Sequence, residues 1–207
     1  MLYELTTLSV PALELDTASA RAWAWVTAPG AGGRVVGFWR TELGELFQLL
    51  LLREFHSEEA LWRERRRAQL DSTPFNIANA QTALSMESYQ PFPFLPPAPS
   101  QLAQPGACYE FRTYWLKPGG LSPTLAGWAQ ALAPAQAYTS HLIINMYALD
   151  GPPRITHIWT FASLEERARL RAEHYAAGLW PPKGGPQQII RAASFICLAE
   201  NRRAGDA

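Results

Sequence analysis

An excess charge of either sign is missing from this chain: 18 acidic and 18 basic residues leave 207 residues with a formal net charge of zero. Without a basic stripe, nucleic acid and anionic membrane surfaces are not expected partners. Cysteine is nearly absent as well. Cys108 and Cys197 both sit inside apolar, strand-like runs, so neither a disulfide framework nor a metal cluster is expected, and both read as small buried hydrophobes in a reducing compartment. Long apolar runs are lacking: the longest, Phe47 to Leu52 interrupted by Gln48, is far too short to span a bilayer. The first basic residue, Arg21, comes only after Glu4, Glu14 and Asp16. No signal or transit peptide is expected, and the expected location is cytoplasmic.

What the chain does have is material for packed cores, with 48% hydrophobic residues and 8 tryptophans, and those tryptophans read first as core. It also matches itself at an offset of 106 residues, which carries Tyr3 to Tyr109 and Phe55 to Phe161 without a gap. Tyr3-Glu4-Leu5-Thr6-Thr7 lies over Tyr109-Glu110-Phe111-Arg112-Thr113, while Arg63 meets Arg169 and Arg65 meets Arg171. A repeat of this kind sets the architecture before anything else. Pro91, Pro93, Pro96, Pro97, Pro99 and Pro105 mark a stiff connector. The expected units are therefore 1–94 and 107–207, joined by a proline-rich linker over 95–106.

Periodicity and punctuation predict strands over 2–8, 34–41, 46–55 and 82–89, and helices over 13–27 and 57–70. The second unit repeats the order with strands over 108–116, 138–149, 154–161 and 188–198, and helices over 121–132 and 163–177. Each unit reads β-α-β-β-α-β, a ferredoxin-like antiparallel sheet with two helices on one face. One bare apolar sheet face makes a poor monomer, so the two tandem units are expected to pack sheet to sheet as a pseudo-dimeric α+β-barrel.

The run from Tyr109 to Gly119 resembles the opening strand of the NIPSNAP family, and Gly37-Phe38-Trp39-Arg40-Thr41-Glu42-Leu43-Gly44 is similar to its central hairpin. Ile158-Trp159-Thr160-Phe161-Ala162-Ser163-Leu164-Glu165-Glu166-Arg167 resembles the strand and arginine-rich helix that follow. The resemblance implies a dimeric α+β-barrel. It also implies membership among proteins of mainly unassigned activity, some associated with mitochondria in animals, and it brings no catalytic residues to carry over. Phe47 stands where the family tends to have asparagine, and Asp150-Gly151-Pro152-Pro153 lacks its Thr-Glu-x-Gly turn.

The repeated Ser57 and Ser163 read as helix N-caps, with Glu59–Arg63 and Glu165–Arg169 as i,i+4 pairs and Glu166 as a capping-box partner. Strand alternation puts Tyr109, Phe111, Thr113 and Trp115 on one face and Glu110, Arg112, Tyr114 and Leu116 on the other. With the aromatic face against the helices, Glu110, Arg112 and Tyr114 would line the inter-sheet space beside Glu4, as a polar-ligand or proton-transfer site or as an ion pair that neutralises buried charge. His141 and His157 fall on the two strands of one hairpin, and a change of one residue in its turn decides whether His157 faces that cavity with Trp159. Gly30-Ala31-Gly32-Gly33 precedes a strand, not a helix, and does not read as a phosphate loop.

Two classes of function follow. The first is a non-catalytic protein that binds a small apolar or mixed-polarity ligand, a protein partner or a second copy of itself. The second is a cofactor-poor monooxygenase or isomerase, or a haem-binding protein, using the inter-sheet cavity. No metal site is assigned and no cofactor is named.

Overall fold

The computed structural model describes residues 1–78, 81–99 and 106–200. The rest of the predicted connector, 100–105, lies outside the described residues. In the first half, β1 (Leu2–Ser9), α1 (Leu15–Thr27), β2 (Arg34–Leu43), β3 (Gln48–Phe55), α2 (Glu58–Leu70) and β4 (Ala83–Pro91) follow in the expected order. The second half contains β5 (Cys108–Leu116), α3 (Leu121–Ala131), the single turn α4 (Gln136–Thr139), β6 (Leu142–Ala148), β7 (Arg154–Phe161), α5 (Leu164–Ala176) and β8 (Ile189–Ala199). The strand predicted from 138 starts later, because Tyr138 and Thr139 close that helical turn by bonding back to the Ala135 carbonyl.

Every strand pairs antiparallel with both neighbours, and the eight close into a barrel in the order β1-β3-β2-β8-β5-β7-β6-β4. Each half contributes the ferredoxin-like order of last, first, third, second strand. Two pairings join the halves, β2 with β8 and β4 with β6. Closure abolishes the free edges that a four-stranded sheet would otherwise present. An eight-stranded barrel has an interior about wide enough for side chains to fill. Here Tyr3, Leu5, Trp39, Leu50, Tyr109 and Phe111 fill most of it. Trp39 meets Tyr109 and Phe111 inside the barrel, over the intervening strand β8, with ring centroids 5.6 and 5.1 Å apart. What remains is a recess of about 210 Å³ at one end, walled by residues that include Thr7, Gln48, Thr113, Thr156 and Trp115.

Local signals hold the frame. Ser57 Oγ accepts from the Ala60 amide and Ser163 Oγ from the Glu166 amide, 3.2 Å in each case. The Glu166 carboxylate reaches back to the Ala162 amide at 2.6 Å. Arg169 pairs with Glu173, one turn further along its helix, at 3.0 Å. Gly44 turns the β2–β3 hairpin at φ +108, where a Cβ would also strike the Phe195 ring. Three further apolar clusters lie outside the barrel wall, the smallest of them Leu2, Phe55 and Leu61. Leu8, Trp25, Phe38, Leu51 and Phe75 pack under α1, while Trp128, Tyr138, Ile155, Trp159 and Trp180 pack under α3 and α5.

Candidate binding site

Barrel closure overturns the expected face. Tyr109 and Phe111 point into the barrel core, so Glu110, Arg112 and Tyr114 point outward, beneath the helices, and so does Glu4 in the first half. The physical reason is that the barrel interior needs one dry layer from both sheets, and the alternating aromatic residues supply it. The charged set is therefore buried in the layer between sheet and helices. Glu4 and Glu110 sit in different halves and do not meet; Glu110, Arg112, Tyr114 and His157 are brought together.

Register pairs Arg112 on β5 with Ser194 on β8 and with His157 on β7, and His157 with Asn145 on β6. A polar row, Ser194–Arg112–His157–Asn145, thus crosses four strands of the second half. Glu110, one outward position along β5, is fully buried. Arg112 grips it through Nε at 2.6 Å and Nη2 at 2.9 Å. Arg167 of α5 grips it from the other side at 2.7 and 2.5 Å, and the Ser194 hydroxyl donates at 2.8 Å. Burial alone would raise the Glu110 pKa, but the Arg167 and Arg112 contacts outweigh it and bring the carboxyl down to about 2. Two guanidinium groups share one carboxylate.

His157 is fully buried, and burial, reinforced by the charge of Arg112, holds its pKa well below the usual value. The ring is neutral at physiological pH. Trp159 Nε1 lies 2.5 Å from His157 Nδ1, and an indole nitrogen only donates. Nδ1 is therefore the acceptor, and the single ring proton rests on Nε2. That Nε2–H has no protein partner. Arg112 Nη1 and both side-chain polar atoms of Asn145 are likewise buried without one. The Tyr138 hydroxyl feels the charge of Arg112 yet falls short of hydrogen-bond geometry with it, and burial raises its pKa.

The wall of this polar row is aromatic. The His157 ring packs edge-on against Tyr114 at 5.0 Å and Trp128 at 5.2 Å, and Trp180 packs edge-on against Trp128 at 4.9 Å. Gly127 permits the arrangement, since a Cβ there would lie 2.3 Å from the Lys183 carbonyl and push α3 off the segment that carries Trp180. On the far side of Tyr114 and Trp128 lies a pocket of about 210 Å³, also walled by Leu116, Ile155, Trp180 and Ile189. It is mainly apolar, and its Tyr114 and Trp128 walls are the rings that pack on His157.

His141, by contrast, stands apart, stacked on Phe161 at 5.1 Å and bonded through Nδ1 to the Thr160 carbonyl. Sequence reasoning passed over Asn145, Trp128, Tyr138, Arg167 and Ser194. Asn145 left a readable signal, as the one polar residue within the apolar strand Leu142–Ala148. Arg167 and Ser194 left none, since they reach Glu110 only through tertiary pairing.

The family model described as NIPSNAP matches residues 109–199, the half that holds this row. A protein described as a NipSnap homolog from Dictyostelium discoideum is 25% identical over 141 residues, 68% of this chain; the aligned region spans 62% of that relative's length. A solved NIPSNAP family protein with unknown function from Agrobacterium tumefaciens is 27% identical, covering 51% of this chain and 97% of its own, with a TM-score of 0.42. An anthrone oxidase-like protein of known structure covers 99% of this chain and 93% of its own at 13% identity, with a TM-score of 0.63. That last likeness concerns the fold of the whole barrel.

Proposed function

We propose that this chain, whose residues 109–199 match the NIPSNAP family model, is a NIPSNAP-like protein that binds a small, mainly apolar molecule in the helix-side pocket of its second half. One observation carries the reading: an aromatic-walled pocket of about 210 Å³ is lined by Tyr114 and Trp128, the two rings that pack on His157 in a row holding buried polar atoms without a protein partner. Such a volume far exceeds the ~10–15 Å³ that one water needs. Apolar walls beside a few convergent polar groups are the usual make-up of a small-molecule site. No helix among the described residues is long and apolar enough to cross a membrane.

A cofactor-poor monooxygenase or isomerase working at the same residues would need a base. Glu110 is locked between two arginines, and the open nitrogen of His157 already carries the proton. Binding without turnover is therefore the reading adopted. Titration with 2-methylnaphthalene, followed by tryptophan fluorescence, is the test. Saturable quenching is expected, because Trp128 and Trp180 wall the pocket, and the pocket-filling variant Ile189→Phe should weaken it. Absence of saturable binding to the unmodified protein would refute the proposal.

A further inference from the structure

Hydrogen-bonding capacity and charge in the polar row are both lopsided in the same direction. Of the buried groups without a protein partner, Arg112 Nη1 and His157 Nε2–H can only donate; the Asn145 amide adds two donor hydrogens beside its one acceptor oxygen, and the Tyr138 hydroxyl adds one donor and one acceptor oxygen, so donors still outnumber acceptors. Charge is lopsided too: Arg112 and Arg167 are both bonded to Glu110, which leaves the buried cluster one positive charge in excess. In the first half the matching cluster balances. There Arg53, Arg65 and Arg67, joined by Arg154 from the second half, face Glu4, Glu64 and Glu87 together with Asp150 of the β6–β7 turn, four against four.

We infer that the ligand is an aromatic or similarly flat apolar molecule bearing an anionic oxygen, a carboxylate or phenolate, which the Arg112–His157–Asn145 row receives while the ring system fills the aromatic pocket. This deepens the binding reading above and rests on it. An anionic oxygen supplies the missing acceptor and the missing negative charge at once; an ammonium group supplies neither. Charge-assisted bonds of this type are about twice as strong as neutral ones. Tyr114 is the side chain that must turn aside to admit the head group. It is only partly buried and packs against the His157 ring. His157 then acts as a neutral donor whose tautomer is set by Trp159, and not as a base.

Three probes of one shape test this on the unmodified full chain: 2-naphthoate, 2-methylnaphthalene and 2-naphthylmethylamine, titrated calorimetrically. The expected result is that naphthoate binds at least about 10-fold more tightly than the methyl compound, the gain of one charged hydrogen bond, with the amine weakest. Equal binding of naphthoate and methylnaphthalene would mean that buried water meets the donors, and would overturn the inference while leaving the pocket reading intact. Tighter binding of the amine would overturn it in the same way. Failure of all three to bind would sink both.

Asn145→Leu gives a second arm that does not depend on a fragile variant, because it removes an amide without a partner. It should abolish most of the naphthoate advantage, leave methylnaphthalene unchanged and not lower the unfolding midpoint; a naphthoate advantage that survives intact would overturn the assignment. Nitrogen-15 NMR of histidine-labelled protein reads the tautomer directly. A proton on His157 Nε2 is expected, and one on Nδ1 would remove the donor on which the inference stands.

Discussion

Glu4 and Glu110 occupy the same place in the two halves, each fully buried on the outward face of a central strand, yet their surroundings solve the burial differently. Glu4 is met by Arg53 from the neighbouring strand at 2.6 Å and Arg65 from the helix at 3.2 Å, and Arg53 is itself held by Glu64 at 2.9 Å. Glu110 is met by Arg112 from its own strand and by Arg167 from the helix. Beside Glu4 the next row outward is Met86–Thr6–Leu51–Phe38, apolar apart from a threonine that bonds Glu4. Beside Glu110 it is Ser194–Arg112–His157–Asn145. The 106-residue offset places Arg112 over Thr6 and His157 over Leu51. One scaffold therefore carries a charge-balanced polar network around Glu4, in which Arg53 Nε is the buried donor left open, and a more open, positively charged one around Glu110. Closed networks stabilise and specify packing; an open one loses stability and has meaning only if something completes it.

Removing Arg53 should break the comparison hardest. Arg53→Met leaves Glu4 and Glu64 facing each other's charge in the dry layer, and a loss of about 3–5 kcal/mol is expected in urea unfolding, with probe binding in the second half unchanged at concentrations where the protein stays folded. Acid titration probes the second half instead. Glu110 has its folded pKa depressed from an ordinary 4.5 to about 2, so its contribution is complete above pH 4.5 and drains away as the pH falls towards 2. That contribution is on the order of 3 kcal/mol, and the acid limb of stability against pH should flatten correspondingly in Glu110→Gln.

Transplanting the open chemistry sharpens the contrast. Leu51→His puts an imidazole where Phe38 and its neighbours leave no partner, and should cost about 2 kcal/mol without creating affinity for naphthoate in the first half. The smallest effects are expected where the halves agree. Ser57→Ala and Ser163→Ala each delete one N-cap bond, and each should lower stability by about 1 kcal/mol by the same amount within error; unequal losses would show that the two helix starts are not equivalent.

Much of the frame was legible in the chain. The boundaries predicted for β5 and β7, Cys108–Leu116 and Arg154–Phe161, are those observed, because alternating apolar residues ended by Lys117-Pro118-Gly119 or by a serine cap leave little freedom. Glu110, Arg112, Tyr114 and His157 were legible as a group. Their face was not. A strand such as β5 is amphipathic in an unhelpful way, aromatic on one side and charged with a tyrosine and a leucine on the other, and both sides end up buried. Period-two alternation separates the sides without saying which is drier. His157 raised the same difficulty one strand away, where its side depended on the register of the β6–β7 hairpin, which carries an irregularity between Leu142 and Ile144.

By itself, then, the sequence determined the duplicated β-α-β-β-α-β order, the helix caps and the presence of a buried acid on each central strand, because these follow from contacts within a few residues and from one repeat offset. Only the tertiary structure decided that the barrel swallows Tyr109 and Phe111 and turns Glu110 and Arg112 to the helices, that Arg167 and Ser194 arrive at Glu110, and that His157 accepts from Trp159 on Nδ1 and keeps its proton on Nε2. Those outcomes depend on edge pairing between residues more than 50 positions apart, such as Arg112 with Ser194 or Arg40 with Leu198, and pairing at that range is set by which closed surface buries most apolar area, a property of the whole sheet and of no single segment.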